Sequence, residues 1–331
     1  MIIREILDQM KNFSLENLNI EEIIPDIYFI HQIKASAYFT RCDGLLIMSR
    51  DKRNLNPVII DLNIEPEYIQ KLYNVFNLDQ YSRIDYICSH GHMDHIAHVP
   101  KWEELGAIIH FPSPHQNNLL SIDAFSKDFG FLKELDIDSV KNLGNLNHYK
   151  PCKNKPSVFQ PGDILIFDKL KIHTIPFEGH SLGHIGFIFP QEKLFHISCL
   201  GFDIQKPDDD QFGPWYGFEE CSIELYKKDI DNAERIFLQS SDILTSSHSY
   251  IVRKKNGEPF DYIRRKIMQN QKKIMNAVHD YNEEGNNEDL VEYLLSLDLI
   301  YPKSKMKDPI RSVFRFWESW MIKNHINSKI N

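Results

Sequence analysis

Across the first 250 residues of this 331-residue chain, short apolar runs alternate with polar turns, and the apolar period switches between two and about 3.6. Residues 1–20 place Ile2, Ile3, Ile6, Leu7 and Met10 at helical spacing, which predicts a short amphipathic helix. Strand patterns follow at Asp26–Gln32, Ala37–Ser49 and Pro57–Leu62, the last a Val-Ile-Ile run of the buried type. Glu65–Phe76 reads as a helix and Ile84–Cys88 as a short strand. A helix can start at Asp94–Val99, with Pro100 ending it or opening the next one, Lys101–Leu105. Further strands are predicted at Ala107–Phe111, Ile164–Phe167, Leu170–Ile175, Ile185–Phe189, Leu194–Ser198 and Ile243–Ser246, and a helix at Glu220–Leu238. Residues 113–150 are rich in Asn, Ser, Asp and Lys and read as an irregular insertion, and Asp203–Gly217 as a loop. From residue 258 the pattern turns helical, in pieces at about 259–280, 287–297 and 308–326.

The order of these elements predicts an α/β protein. Its length fits about two domains or one large one. A hydrophobic content of 42% is enough for a substantial core. The five cysteines are odd in number and form no C-x-x-C pair, so a disulfide framework is not expected and reduced thiols are. The segment MIIREILDQMKNFS puts charges where a secretory signal would need an apolar core, and no run approaches the roughly 20 apolar residues of a membrane span. A cytoplasmic location with no membrane partner is therefore the expectation. The net charge of −9 argues against a generic nucleic-acid binder. Its distribution is uneven: residues 250–331 carry 15 Lys and Arg against 11 Asp and Glu, whereas the remainder carries 23 against 36. The basic bias is densest at Arg253, Lys254, Lys255, Arg264, Arg265, Lys266, Lys272 and Lys273. It reads as a solvated helix face, or else as a flank that attracts phosphate, CoA or RNA.

The chemistry concentrates in one string, His90-Gly91-His92-Met93-Asp94-His95. Three of the chain's 15 histidines and an aspartate fall within six residues, and a short turn can aim such donors at one point. Other polar side chains follow strand ends in the same way. Asp61 ends Pro57–Leu62, His180 lies in Gly179-His180-Ser181-Leu182-Gly183-His184, Asp203 comes after Leu194–Ser198, and His248 comes after Ile243–Ser246. Strand ends at one edge of a sheet are where open α/β proteins gather their sites.

With these residues in this order, about residues 20–250 resemble the metallo-β-lactamase superfamily, whose pattern is H-x-H-x-D-H followed by a His, an Asp and a last His. The resemblance implies an αββα sandwich, two mixed β-sheets flanked by helices. It implies a catalytic domain over 1–250, with 113–150 as an insertion, and a helical extension over 251–331. It assigns His90, His92 and His180 to one metal, Asp94, His95 and His248 to a second, and Asp203 as the bridge. Two divalent ions are expected, zinc foremost, with iron or manganese as alternatives suited to the same mixed donors. Three departures stand out. Ala97-His98 replaces small residues after the motif, so that His98 either narrows the pocket or faces solvent. Asp61-Leu62-Asn63 replaces Asp-Thr-Gly, with Asn63 able to serve in a left-handed turn, and Glu178 stands where a proline is usual.

Other candidates receive blander roles. His184 fits support of the ligands or packing and His196 a hydrogen-bonded core position; Cys199 and Cys221 could approach the site but read first as ordinary buried thiols. In Pro207–Phe218, the side chains Phe212, Trp215, Tyr216 and Phe218 form either a wall over an apolar substrate group or a loop pinned by packing. Phe125, Phe129 and Phe131 could form a second wall or a dimer contact. The leading expectation is a binuclear hydrolase in which a metal-bridged hydroxide, oriented by Asp94, attacks the acyl carbon of a small-molecule ester, thioester or lactone. The alternatives are phosphodiester hydrolysis on RNA, diiron redox chemistry on oxygen or a sulfur species, and a non-catalytic regulator. A homodimer built through the helical tail is compatible with all of them.

Overall fold

The computed structural model describes residues 12–34, 42–48, 55–201, 214–248, 250–253, 255–285 and 288–328. Two mixed sheets form its centre. The first runs in the order β1 (Asn12–Leu15), β2 (Leu18–Ile24), β3 (Ile27–Gln32), β4 (Gly44–Ile47), β5 (Val58–Ile60), β6 (Asp85–Ile87), β7 (Ile108–Pro112) and β8 (Ser157–Phe159). It is antiparallel up to β5 and parallel from there on. The second sheet comprises β9 (Ile164–Phe167), β10 (Leu170–Pro176), β11 (Ile185–Phe189), β12 (Leu194–His196), β13 (Ile243–Ser246) and β14 (Tyr250–Val252), with only β12 and β13 parallel.

Strand periodicity explains the layering. Ile27 and Phe29 of β3, Leu45 and Ile47 of β4, and Val58 and Ile60 of β5 face the second sheet. There they meet Ile172, Ile185, Phe187, Phe189 and Leu194 in one core. The alternate residues Tyr28, Ile30, Leu46 and Ile59 face the opposite way and pack with Ile69, Leu72 and Trp102 of the helices α1 (Pro66–Val75) and α3 (Val99–Glu104). On the far side of the second sheet, Phe195 and Leu244 join Tyr226, Ile230 and Phe237 of α6 (Ile223–Ser240). The result is helix, sheet, sheet, helix, the αββα arrangement.

Two expectations about helix content change. Residues 12–20, read as part of an N-terminal helix, form β1, a turn at Glu16 and Asn17, and the start of β2, where Leu18 and Ile20 are buried at alternate positions and Ile20 pairs with Ile30. The apolar residues 2–10 that suggested the helix lie outside the described residues. Residues 113–150, read as irregular, hold α4 (Ile122–Asp128) and α5 (Ile137–Leu146), capped by Ser121 and Asp136. Phe125, Phe129 and Phe131 of this segment are fully buried, so they are core rather than an exposed wall. The H-x-H-x-D-H string feeds α2 (Met93–Ile96), a single turn, before Pro100 near the start of α3.

The C-terminal helices α7 (Glu258–Glu283), α8 (Leu290–Ser296) and α9 (Ile310–Asn327) lie close to their expected bounds. They contribute Phe260, Ile263, Phe314 and Met321 to the large core, and a smaller cluster of Ile274, Ala277, Leu294, Leu295 and Ile322 holds them together. Their one deeply buried ion pair among the described residues joins Lys303 to Glu318, with Lys303 Nζ also donating to the Leu297 carbonyl at 2.7 Å and Glu318 accepting from Ile300 N–H at 3.1 Å. No described helix is long and apolar enough to cross a membrane.

Removing one member of a buried pair strands the other charge. Glu318→Ala should therefore cost about 3–5 kcal/mol in chemical denaturation, and a Lys303→Met/Glu318→Leu double substitution should recover most of that loss. Equal destabilisation by the single and the double variant would contradict this account.

Candidate metal centre

Asp61 organises one edge of both sheets. It follows β5 in a left-handed conformation (φ 52°) and is fully buried. Its carboxylate accepts the Ser89 N–H at 2.7 Å, the Ser198 hydroxyl at 2.8 Å and the Ser247 hydroxyl at 3.2 Å, and it lies 3.3 Å from His95 Nδ1. One side chain thus ties together the turns that leave β6, β12 and β13. Burial alone would raise its pKa, but the adjacent His95, with His196 and His90, holds it below the usual carboxylate range. The left-handed residue of this turn is Asp61, not Asn63. Asn63 instead pairs its backbone with Cys42 (3.0 and 3.2 Å). Its side-chain Oδ1 accepts the His98 N–H at 2.7 Å, and its Nδ2 donates to the Asp94 carbonyl, so an amide side chain takes up the backbone groups of the His-rich turn.

The ligands expected from sequence that fall within the described residues converge here. The Nε2 atoms of His90 and His180 are 3.2 Å apart. His180 Nδ1 is engaged by the Trp215 carbonyl at 2.8 Å and His90 Nδ1 by Ser89 Oγ at 2.8 Å, which leaves both Nε2 atoms to face each other. The His92 ring lies 4.4 Å from the His90 ring and 4.6 Å from that of His180, and its buried Nε2 has no hydrogen-bond partner among the described residues. Asp94 Oδ2 lies 3.7 Å from His95 Nε2 and 3.8 Å from His248 Nε2. Asp203 and Phe212 lie outside the described residues.

Cys199 stands between these two groups. Its Sγ is 2.8 Å from His95 Nε2 and 2.9 Å from His248 Nε2, and it clusters with the ligand atoms of His90 and His180. Burial alone would raise this thiol, but a hydrogen bond from Cys42 and the His95 and His248 imidazoles beside it bring it well below the ordinary thiol range. The ordinary-thiol reading of Cys199 is therefore replaced. It follows β12 directly, and the strand-end rule that picked out the histidines also points to it. Ser198, at φ 48° with its hydroxyl on Asp61, turns the chain so that the next residue lies among the imidazoles. Cys221 keeps an ordinary role, donating to the His180 carbonyl at 2.9 Å.

The donor set fits divalent metal. Burial first, then the neighbouring His95, pushes His90 down to about 3. His92 is likewise driven down by burial. His90 and His92 are therefore neutral, the form in which an imidazole binds a metal. An unpartnered buried nitrogen such as His92 Nε2 costs free energy unless something binds it.

The surrounding histidines support the set. His184 bonds the Phe177 carbonyl at 3.2 Å and accepts the Cys199 N–H at 3.4 Å, with its ring 4.6 Å from that of His90. His196 bridges Thr245 and Ser247 at 3.0 and 3.1 Å. His98 neither faces solvent nor lines an opening; it is buried, with Nδ1 on the Ile64 carbonyl at 2.8 Å. Of the aromatic residues expected to form a wall, Trp215 lies 5.0 Å from the His92 ring, as do Phe129 and Phe218. Tyr216 is corrected to a core role: it is fully buried, with its hydroxyl on His325 Nε2 (2.7 Å) and Asn270 (3.2 Å) of the C-terminal helices.

Comparison with solved structures places this architecture. A metallo-β-lactamase family protein from Thermus thermophilus superposes with a TM-score of 0.66 at 13% identity, covering 93% of this chain and 95% of that one. A metallo-β-lactamase from Erythrobacter litoralis gives 0.51 at 13% identity (77% and 99% covered), and the DIM-1 metallo-β-lactamase 0.51 at 15% (76% and 99%). No protein-family model and no curated protein matches the sequence. The chain has the metallo-β-lactamase fold.

Gly179 is the tightest point of the site. A Cβ there would sit 2.0 Å from the Tyr226 backbone nitrogen in α6. Gly179→Ala should therefore push the His180 loop away from α6, lowering both thermal stability and metal content. A variant with an unchanged melting temperature and full metal occupancy would refute this reading of the contact.

Proposed function

We propose that this protein is a binuclear metal-dependent hydrolase acting on an ester, thioester or lactone of a small molecule. The observation that carries the proposal is the convergence of His90, His92, His180, Asp94, His95, His248 and Cys199 at one edge of the two sheets, with the Nε2 atoms of His90 and His180 facing each other and that of His92 without a hydrogen-bond partner among the described residues. His90, His92 and His180 would hold one ion, with Cys199 grouped beside His90 and His180, and Asp94, His95 and His248 would hold the other. When bound, two such ions supply Lewis acidity and a water that is nucleophilic at neutral pH.

The chain's own residues set the remaining terms. Asp61 accepts at His95 Nδ1, keeps that ring's tautomer and aims Nε2 inward. The Trp215 carbonyl does the same for His180. Asp94 and His248 are 24% and 23% exposed at their side chains, whereas His95 is fully buried, so substrate approaches from the Asp94–His248 side. There the Asp94 carboxylate would both bind metal and orient the attacking water. The ring of Trp215 beside His92 supports an apolar group next to the reacting carbonyl.

Ion pairing at three cations of the basic stretch supports a small molecule over RNA. Arg264 is held by Asp231, Glu234 and Asp261, Arg253 by Glu21, and Lys255 by Asp242, so these cations are already neutralised by carboxylates on the protein.

Metal analysis of the purified protein should give two ions per chain, and an ester, thioester and lactone panel should contain a substrate. His92→Ala and Asp94→Ala should each lower kcat/KM on it by about 100-fold or more while leaving far-UV circular dichroism unchanged. A fully loaded protein inert toward the whole acyl panel would overturn the assignment, as would salt-sensitive cleavage of single-stranded RNA in its place.

A further inference from the structure

We infer that Cys42 is a metal ligand, which gives the centre two thiolates, one for each ion: Cys42 with Asp94, His95 and His248, and Cys199 with His90 and His180. The inference rests on the metal-binding reading above and adds a donor that no H-x-H-x-D-H pattern contains. Four potential ligand atoms, from Cys42, Asp94, His95 and His248, all lie within 4.8 Å of one another, and a second set from His90, His180 and Cys199 meets the same limit.

Cys42 differs from an ordinary buried thiol in what its sulfur faces. Sγ is 3.0 Å from His95 Nε2 and 3.5 Å from Asp94 Oδ2. His95 has its Nδ1 committed to Asp61, so Nε2 is the nitrogen left to bind metal, and that is the atom beside the sulfur. The backbone holds the sulfur there from two directions. Cys42 pairs with Asn63, whose side chain grips the Asp94 carbonyl and the His98 N–H. The next residue, Asp43, donates its N–H to the Ser247 carbonyl at 2.9 Å, one position before His248. The segment carrying Cys42 is thus bonded to both turns that carry the other three donors.

Cysteine, aspartate and two histidines form a four-donor set suited to tetrahedral zinc or cobalt. A thiol binds metal as the thiolate, so Cys42 would give up its proton to solvent as the ion binds. A centre with two thiolates is softer than one built from histidine and carboxylate alone, which selects zinc or cobalt over manganese.

The test is cobalt(II) titration of the full chain, read by the thiolate-to-cobalt charge-transfer band in the near ultraviolet and by bound cobalt per chain. Wild type, Cys42→Ser, Cys199→Ser and Cys152→Ser are compared. Cys42→Ser should lose about half of the band and bind the second ion about 10- to 100-fold more weakly, within the range seen when groups around a metal site are altered. Cys152→Ser should match wild type. A Cys42→Ser protein with the wild-type band and wild-type affinities would overturn the inference, as would a band lost entirely in Cys199→Ser. If the wild type takes up one ion with a band that Cys42→Ser abolishes, Cys42 is a ligand and the two-metal reading fails instead. Uptake of no metal at all defeats both. X-ray absorption of the zinc-loaded Cys199→Ser protein gives a second readout: remaining sulfur around zinc supports Cys42 as a ligand, and a sulfur-free shell overturns it.

Discussion

The structure depends on a single buried carboxylate. Asp61 has no exposed surface, sits at a left-handed backbone angle, and meets groups from three separate turns. A buried charge of this kind is tolerated only when its oxygens are saturated with donors. Ser89, Ser198, Ser247 and His95 supply them, and in doing so they bring the ends of β6, β12 and β13 together. The two sheets could stack by apolar contact alone. What that contact does not set is the position of His90, His95, Cys199 and His248 relative to one another, and the saturated carboxylate does.

Around that anchor the protein concentrates imidazole and thiol groups, and the buried His92 Nε2 has no hydrogen-bond partner among the described residues. His90, His92, His180 and His184 pack ring against ring within about 5 Å. Burial keeps His90, His92 and His184 in the neutral form. Such a cluster contributes little to folding and is suited to binding. Stability must come from elsewhere, and the double-faced burial of β3, β4, β5 and β12 is its main source.

The C-terminal helices reach the site through Trp215 and Tyr216. Trp215 touches Trp317 of α9 at 5.6 Å and His92 at 5.0 Å, and its carbonyl fixes His180. Tyr216 is bonded to His325 and Asn270. The helical segment is therefore part of the wall behind the histidines. This explains why a side chain that the sequence offers as a substrate contact, Tyr216, is taken up by packing, while its neighbour stays beside the centre.

Much of this was legible in the chain. Continuous apolar runs marked β3, β4 and β5 because both of their faces are buried, and H-x-H-x-D-H together with His180 and His248 marked the donor cluster, because polar residues after apolar strands gather at one sheet edge. The strand-end rule would reach Cys199 too, although the sequence alone reads it as an ordinary buried thiol. Cys42 was out of reach: it precedes β4, and only because β4 runs antiparallel to β5 does the start of one strand share an edge with the end of the other. The same holds for Asn63, which a local rule casts as a turn residue and the folded chain uses to bind Asp94 and His98. Local sequence determined the elements and most of the donors, since periodicity and spacing act over a few residues. The tertiary structure alone decided which thiols, amides and aromatic rings joined them, since those contacts depend on strand direction and on partners about 30 to 190 positions away.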